Sequence, residues 1–483
     1  MSIDIAEPAT ARSTRPWDFP PGARFVIAFE FCERVGFYSM VALLALYLSA
    51  DRASGGFGWS SAAALTFSGL YNGLMYALPV VGGWVADRFL GYRRALTVGG
   101  TLLFAGYVLL TIAVSWAHSG SGTAPLGLTP SPALPADAGH AYAGIFVSFW
   151  AAIVALIAGN ALIKSTLVVA LGDSFSGDDG RREGAYAYYY AGINLGGLVA
   201  GLIVGWVAAA YGWAPAFGFS AIAMGVAIST YVAWGRKHLT RRSSAMSRDA
   251  SVDPNPRMSR RDVGVRLFVL GVFALLLLIY SIGSFQLWGA MSFFLEREVD
   301  RHVGSFEIPT QWFTSINAAS LIVSAPAFAA LWAWLARRNR EPDIAVKYVW
   351  ALALGALGIL VFAYAAWPHS GTARPGWTLP AIGVWVQATG EVAAWTVTYG
   401  LVYRLAPRRI VAAVMGAYYA TTLGLGAYLA GVLGTLAERW GEGLYFLVVG
   451  SATLAVAVMA VLIRPALRSL AESAGVELDS HTG

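Results

Sequence analysis

Apolar residues in this chain neither alternate nor form narrow stripes. They come in runs of about 20 or more, the length at which a helix rising 1.5 Å per residue crosses a bilayer. Clusters of glycine, proline and charge separate the runs. The pattern predicts twelve membrane-spanning helices, at residues 25–49, 62–87, 95–117, 141–171, 186–209, 214–235, 267–295, 311–336, 345–367, 379–404, 411–437 and 443–463. The longest charged stretch, Arg236 to Arg266, divides them into six and six. Its Ser, Arg, Asp and Pro content reads as an exposed linker. The expected organisation is an all-α, polytopic membrane protein: a tail at 1–24, a six-helix bundle at 25–235, a linker at 236–266, a second bundle at 267–463 and a tail at 464–483.

Composition agrees. The chain is 57% hydrophobic and 12% charged, whereas soluble domains carry roughly 25% charged residues. The net charge of +6 is not a nucleic-acid footprint, because its placement follows the membrane. With the amino terminus inside, the tails, the even-numbered connections and the helix ends beside them hold 26 of the 33 basic residues. The opposite connections hold five: Arg52, Arg297, Arg301, Arg374 and Arg439. This bias predicts that both termini are cytoplasmic. Residues 1–24 lack an apolar h-region, so no cleavable signal peptide is expected. The one cysteine, Cys32, has no partner for an internal disulfide and reads as a packing residue.

Three ionisable residues interrupt the first apolar run: Glu30, Glu33 and Arg34. Each charge at mid-helix in a bilayer costs about 2.5–3.5 kcal/mol on insertion scales. They must therefore face protein or water and pair with something. Glu30 and Arg34 are four apart and Glu33 is adjacent, so the three share one face or its edge. Lys164, in the fourth span, needs a carboxylate or a ligand, and Glu30, Glu33 and Glu391 are the candidates. All six histidines fall in loops or tails. That argues against a histidine proton relay, and equally against an intramembrane enzyme needing a nucleophile–base pair or a metal set. Proton or substrate handling by carboxylates remains.

The segment Gly82-Gly83-Trp84-Val85-Ala86-Asp87-Arg88-Phe89-Leu90-Gly91-Tyr92-Arg93-Arg94 resembles the loop between helices two and three of major facilitator transporters. Trp334-Leu335-Ala336-Arg337-Arg338 echoes it at the equivalent point of the second half. The resemblance implies two bundles with a site between them near the midplane. It also makes Asp87, Arg88, Arg93 and Arg94 a cytoplasmic gate loop that latches neighbouring helix ends.

Glu30-x-x-Glu33-Arg34 matches the E-x-x-E-R signature of the proton-dependent oligopeptide transporters. Further stretches resemble that family in order: Gly159 to Lys164, Tyr189 to Gly196, Ile308 to Asn317, and Gly390-Glu391 followed by Leu405-Ala406-Pro407-Arg408-Arg409. The resemblance implies proton-coupled symport of di- and tripeptides across a bacterial-type inner membrane by alternating access. Glu30, Glu33, Arg34, Lys164 and Glu296 would carry proton coupling. Arg34, Tyr38, Tyr71, Tyr76, Lys164, Asn194, Asn317 and Glu391 would bind substrate. Arg34 and Lys164 suit a peptide carboxylate, and Glu391 suits its ammonium. The proton gradient would drive transport with no cofactor, in a monomer.

The chain departs from that family in three places. Val41 stands where an arginine is usual, so its counterpart acid, Glu296, is expected to pair elsewhere, titrate alone or sit solvated at a helix end. Trp395-Thr396 replaces Ser-Pro, which removes a kink and adds bulk to the pocket. The linker is too short and polar for two extra helices, giving twelve spans and not fourteen. These departures keep open a relative that moves another small anion or zwitterion: nitrate, an amino-acid derivative or a peptide-like drug.

Overall fold

The computed structural model of the chain describes residues 18–119, 139–175, 179–239, 259–367, 374–407, 410–476 and 478. Twelve long helices carry the fold. We label them α1 (Pro21–Ser49), α2 (Ser61–Leu90), α3 (Tyr92–Ala117), α4 (Gly144–Gly172), α5 (Arg181–Tyr211), α6 (Trp213–His238), α7 (Arg260–Arg297), α8 (Trp312–Ala336), α9 (Ile344–Ala366), α10 (Thr378–Leu405), α11 (Val411–Trp440) and α12 (Glu442–Ser473). All but α10 are apolar enough by composition to cross a membrane, and α10 is a continuous 28-residue helix that carries Glu391 and Arg404.

The two halves repeat each other in their turns. The connections α5–α6 and α11–α12 are each closed by one glycine in the left-handed region, Gly212 at φ 85° and Gly441 at φ 80°. The turns after the second helix of each half also close on a left-handed residue, Gly91 at φ 69° and Asn339 at φ 52°. Asparagine is the residue after glycine that tolerates this conformation.

Several expected limits move. The first helix starts at Pro21, where proline's fixed φ suits the first turn. The linker expected at 236–266 is shorter, because α6 continues to His238 and α7 begins at Arg260, capped by Ser259 accepting from Asp262 N at 3.1 Å. Residues 240–258 lie outside the described residues, as do 1–17, Arg408 and Arg409. The tail expected from residue 464 is helical as far as Ser473. The fold is all-α but for a small hairpin on the far face, β1 (His302–Val303) against β2 (Phe306–Glu307).

Each half has its own apolar core, one built around Phe25, Tyr47, Phe149 and Phe217, the other around Phe273, Tyr348, Leu352 and Leu401. The halves meet along two seams, α2 with α11 and α5 with α8. The first is set by missing side chains: a Cβ on Gly69 would come within 2.7 Å of Gly431 Cα. The second is pinned by Ser315 Oγ donating to Leu198 O at 2.8 Å and Trp312 Nε1 to Leu202 O at 3.1 Å. These bonds lie on the side away from the termini, which we call the far face. There Arg297 Nη2 of α7 also donates to Ser61 Oγ of α2 at 2.8 Å. Among the described residues α4 and α10 form no comparable seam. The halves thus meet on the far face, while toward the face that carries the termini α4 and α10 stand apart and α2 and α11 still touch, a Cβ on Gly416 falling 2.7 Å from Val80 Cγ2.

Candidate functional site

Glu33 lies twelve residues into α1, about 18 Å along its axis and so near mid-membrane. Four ionisable side chains meet there. Arg34 holds Glu33 with two parallel bonds, Nε to Oε2 at 2.7 Å and Nη2 to Oε1 at 2.8 Å. Lys164 Nζ of α4 reaches Glu33 Oε2 at 2.9 Å and also bonds Glu30 Oε1. Arg34 Nε stands 3.5 Å from Glu30 Oε1. Both carboxylates are fully buried, while the Lys164 side chain is 19% exposed. Two acids and two bases leave the cluster neutral, which offsets the cost of burying the charges. Lys164 is its most accessible member.

The backbone fits this cluster. Gly196 of α5 lets α5 lie against α1 at the level of Arg34: a Cβ there would meet Arg34 Cβ at 2.8 Å. Asn160, one turn before Lys164, donates to Met75 O at 2.7 Å and fixes α4 against α2. Arg34 stacks over Phe37, 4.2 Å from the ring centroid, with Tyr38 at 5.8 Å.

The opposite wall comes from a break in α7. A short 3-10 turn, Phe285–Trp288, ends at Gly289. The backbone groups it frees are re-satisfied by side chains, as the membrane interior requires. Gln387 Nε2 donates to Gly283 O at 2.8 Å, and Ser292 Oγ donates to Leu287 O. The break turns Trp288 onto Tyr38 (centroids 6.2 Å apart) and Phe285 onto Tyr76 (5.5 Å). These two aromatics were not among the expected site residues. Only the sequence Trp288-Gly289, a bulky ring beside a helix breaker, hints at them.

Glu391 lies mid-way along α10 in the second half and makes no ion pair among the described residues.

Other expected residues fall elsewhere. Tyr71 is 1% exposed and packed in the core of the first half, so it does not line the open space expected of a substrate contact. Asn194 and Asn317 are buried, and Asn194 Nδ2 bonds Tyr190 O of its own helix at 3.0 Å. Glu296 is not drawn into the central cluster. Thr310 Oγ1 donates to it at 2.5 Å and Arg301 Nη2 stands 3.2 Å away, while Arg301 also meets Glu307 at 2.7 Å. With valine at position 41, the counter-charge comes from the far-face loop of the same half. Of the residues expected to form a gate loop, Arg93 reaches a helix end, its Nη2 donating to Arg236 O at 2.5 Å and Leu239 O at 2.6 Å. Asp87 and Arg88 are exposed and Arg94 makes no ion pair among the described residues. Trp395 stacks on Tyr419 of α11, 5.5 Å between centroids, in an unbroken α10. An apolar hollow of 670 Å³ lies apart from all of these, between α5, α8 and α10. Its lining, including Leu202, Trp312, Trp377 and Trp385, holds no charge to read a polar cargo.

Comparison with known proteins gives one consistent result. The family model described as the POT family matches residues 93–255 and 257–445. The chain is 26% identical to the peptide transporter YePEPT of Yersinia enterocolitica over 469 residues, covering 84% of this chain and 85% of that one. It is 24% identical to the dipeptide and tripeptide permease A of Escherichia coli over 529 residues, covering 98% and 97%. A crystal structure of a peptide transporter POT in complex with sulfate superposes with a TM-score of 0.80 at 21% identity, covering 95% and 97%, and establishes the shared fold.

Proposed function

The chain belongs to the POT family, a family of transporters and not of enzymes, and on that premise we propose that it imports di- and tripeptides together with protons by alternating access. The observation that carries the reading is the neutral, buried quartet of Glu30, Glu33, Arg34 and Lys164 in the first half, with Glu391 on α10 of the second half making no ion pair among the described residues. A zwitterionic peptide matches this layout end for end. Its carboxylate takes Lys164 and Arg34, a point charge and a planar fork. Its ammonium takes Glu391. Tyr38, Tyr76, Phe285 and Trp288 supply the walls, with Asn194 and Asn317 as polar contacts when the helices shift.

Coupling follows from the same exchange. When Lys164 turns to the cargo's carboxylate, Glu33 or Glu30 is left with an excess negative charge in a dry site. A proton restores neutrality. Each pH unit of differential proton affinity is worth 1.36 kcal/mol, so a change of about three units would put roughly 4 kcal/mol into the equilibrium between the two openings. In the proposed orientation the termini are cytoplasmic, in a bacterial inner-membrane protein acting as a monomer. Glu296, paired with Arg301 and Thr310, serves the far-face closure in this reading.

The test is uptake of labelled dipeptide into proteoliposomes under an inward-acid gradient. The parent protein accumulates dipeptide, and Glu33→Gln exchanges it without accumulating it. Full accumulation by Glu33→Gln rejects the role of that residue. Preference for nitrate or a free amino acid over di-alanine in counterflow rejects the peptide assignment.

A further inference from the structure

Besides Ser68 of α2, five hydroxyls inside the first half have no hydrogen-bond partner among the described residues: Ser39 and Tyr47 of α1, Tyr71 of α2, Tyr107 of α3 and Ser220 of α6. None of these five residues is more than 1% exposed. An unpaired buried hydroxyl destabilises the fold because it has lost its bonds to water, and folded proteins leave few. The five are also not scattered. Tyr107 lies on the bare backbone of α1 at Gly36, where a Cβ would stand 3.2 Å from Tyr107 Cε2 and 3.4 Å from both Tyr107 Cζ and Ser220 O. Gly36 is three residues beyond Glu33, one turn along nearly the same face. Tyr47, Tyr71 and Tyr107 all belong to the apolar core of the first half. Ser39 follows one turn past Gly36. Tyr47 lies nearer the far face, its ring 5.2 Å from that of Phe217 and 5.6 Å from that of Trp213. Phe217 in turn is one turn from Ser220.

We propose that these hydroxyls, bridged by buried waters, form a proton route from the far face to Glu33 through the interior of the first half, separate from the path of the cargo. The proposal rests on the proton-coupled reading above. A buried water needs two to four polar partners, and a hydroxyl both donates and accepts, so the set satisfies the waters and the waters satisfy the set. In each transfer a hydroxyl passes its proton toward Glu33 and receives one from the far-face side. An O–H bond forms at the Glu33 carboxylate, one O–H bond breaks in far-face water, and the chain between is unchanged. The charged groups around the end point are Glu30, Arg34 and Lys164.

Tyr107→Phe and Ser220→Ala test the route, since both keep the packing and neither touches the cargo. Three quantities are read in each variant: initial gradient-driven dipeptide accumulation, dipeptide counterflow at equal pH, and melting temperature. The route predicts slower accumulation, on the order of tenfold and below the roughly 10²–10⁴-fold lost with a positioned acid or base, because water remains on either side of the gap. Counterflow stays at the parental rate. Accumulation at the parental rate in both variants, with melting temperature equal or raised, overturns the route. So does equal slowing of accumulation and counterflow with a lowered melting temperature, which marks a packing role. A parent protein that ignores the pH gradient overturns instead the reading on which the route rests.

Discussion

Lys164→Gln separates charge balance from packing in the central quartet. The substitution keeps most of the side chain and leaves two carboxylates facing one cation. Breaking a buried pair by removing one partner costs about 3–5 kcal/mol. The protein can avoid that cost by placing a proton on the excess carboxylate. For a carboxyl that titrates near 4.3, holding a proton at pH 7 costs about 3.7 kcal/mol, each of roughly 2.7 pH units being worth 1.36 kcal/mol. The two routes are therefore close in energy at pH 7. At pH 5 the protonated route costs only about 1 kcal/mol, and a proton takes the lysine's place. The folded variant then holds a proton that the unfolded chain does not, so acid favours folding. The gain ends near pH 4.3, where the unfolded carboxyl protonates too. The expected outcome is a stability deficit against the parent of roughly 3–4 kcal/mol at pH 7 that shrinks by about 1.4 kcal/mol per unit down to pH 5. Unfolding of both proteins in detergent at pH 7, 6 and 5 measures it. A deficit that does not change with pH, or no deficit, refutes the reasoning.

Three further outcomes are expected. Glu391→Gln raises the KM for free dipeptide about tenfold or more, the loss of a bond to a charged group being worth roughly 1.5–3 kcal/mol; the KM for an N-acetylated dipeptide, which has no ammonium, stays at the parental value. Arg93→Ala strips the caps from the end of α6 and lowers stability by about 2 kcal/mol, read as a lower melting temperature, while folded protein still transports. The Arg181 hydrogen bonds hold the Asp179 carboxyl down at about 2; this contribution is complete above the ordinary carboxylate range and is lost only as pH falls toward 2, so Asp179→Asn has the same effect on melting temperature at pH 5 and pH 8.

Much of this molecule is legible in its sequence because the membrane penalises exceptions. Glu30, Glu33, Arg34 and Lys164 stand out against apolar helices for the reason that they must pair, and two acids facing two bases leave few ways to do so. The echo of the two halves is visible in Trp84 and Trp334. Other features depend on three-dimensional geometry that spacing does not encode. The break at Gly289 aims Trp288 and Phe285 into the site, and its satisfaction by Gln387 joins residues about a hundred positions apart. The pairing of Glu296 with Arg301 depends on a hairpin that periodicity cannot show. The helical stretches at Arg236–His238 and beyond residue 463 are charged, so a hydropathy pattern stops short of them while the backbone continues. Tyr71 and Tyr76 look alike in sequence, yet five residues turn a helix by about 140°, and the structure buries one while leaving the other partly open.

The central claim is that cargo and proton arrive together at one neutral quartet. Its most direct measurement is the internal pH of proteoliposomes, set equal inside and out, when dipeptide is added outside. The account predicts that the lumen acidifies in step with dipeptide entry through the parent protein, and that Glu33→Gln admits dipeptide with no acidification. Dipeptide entry through the parent without acidification contradicts it.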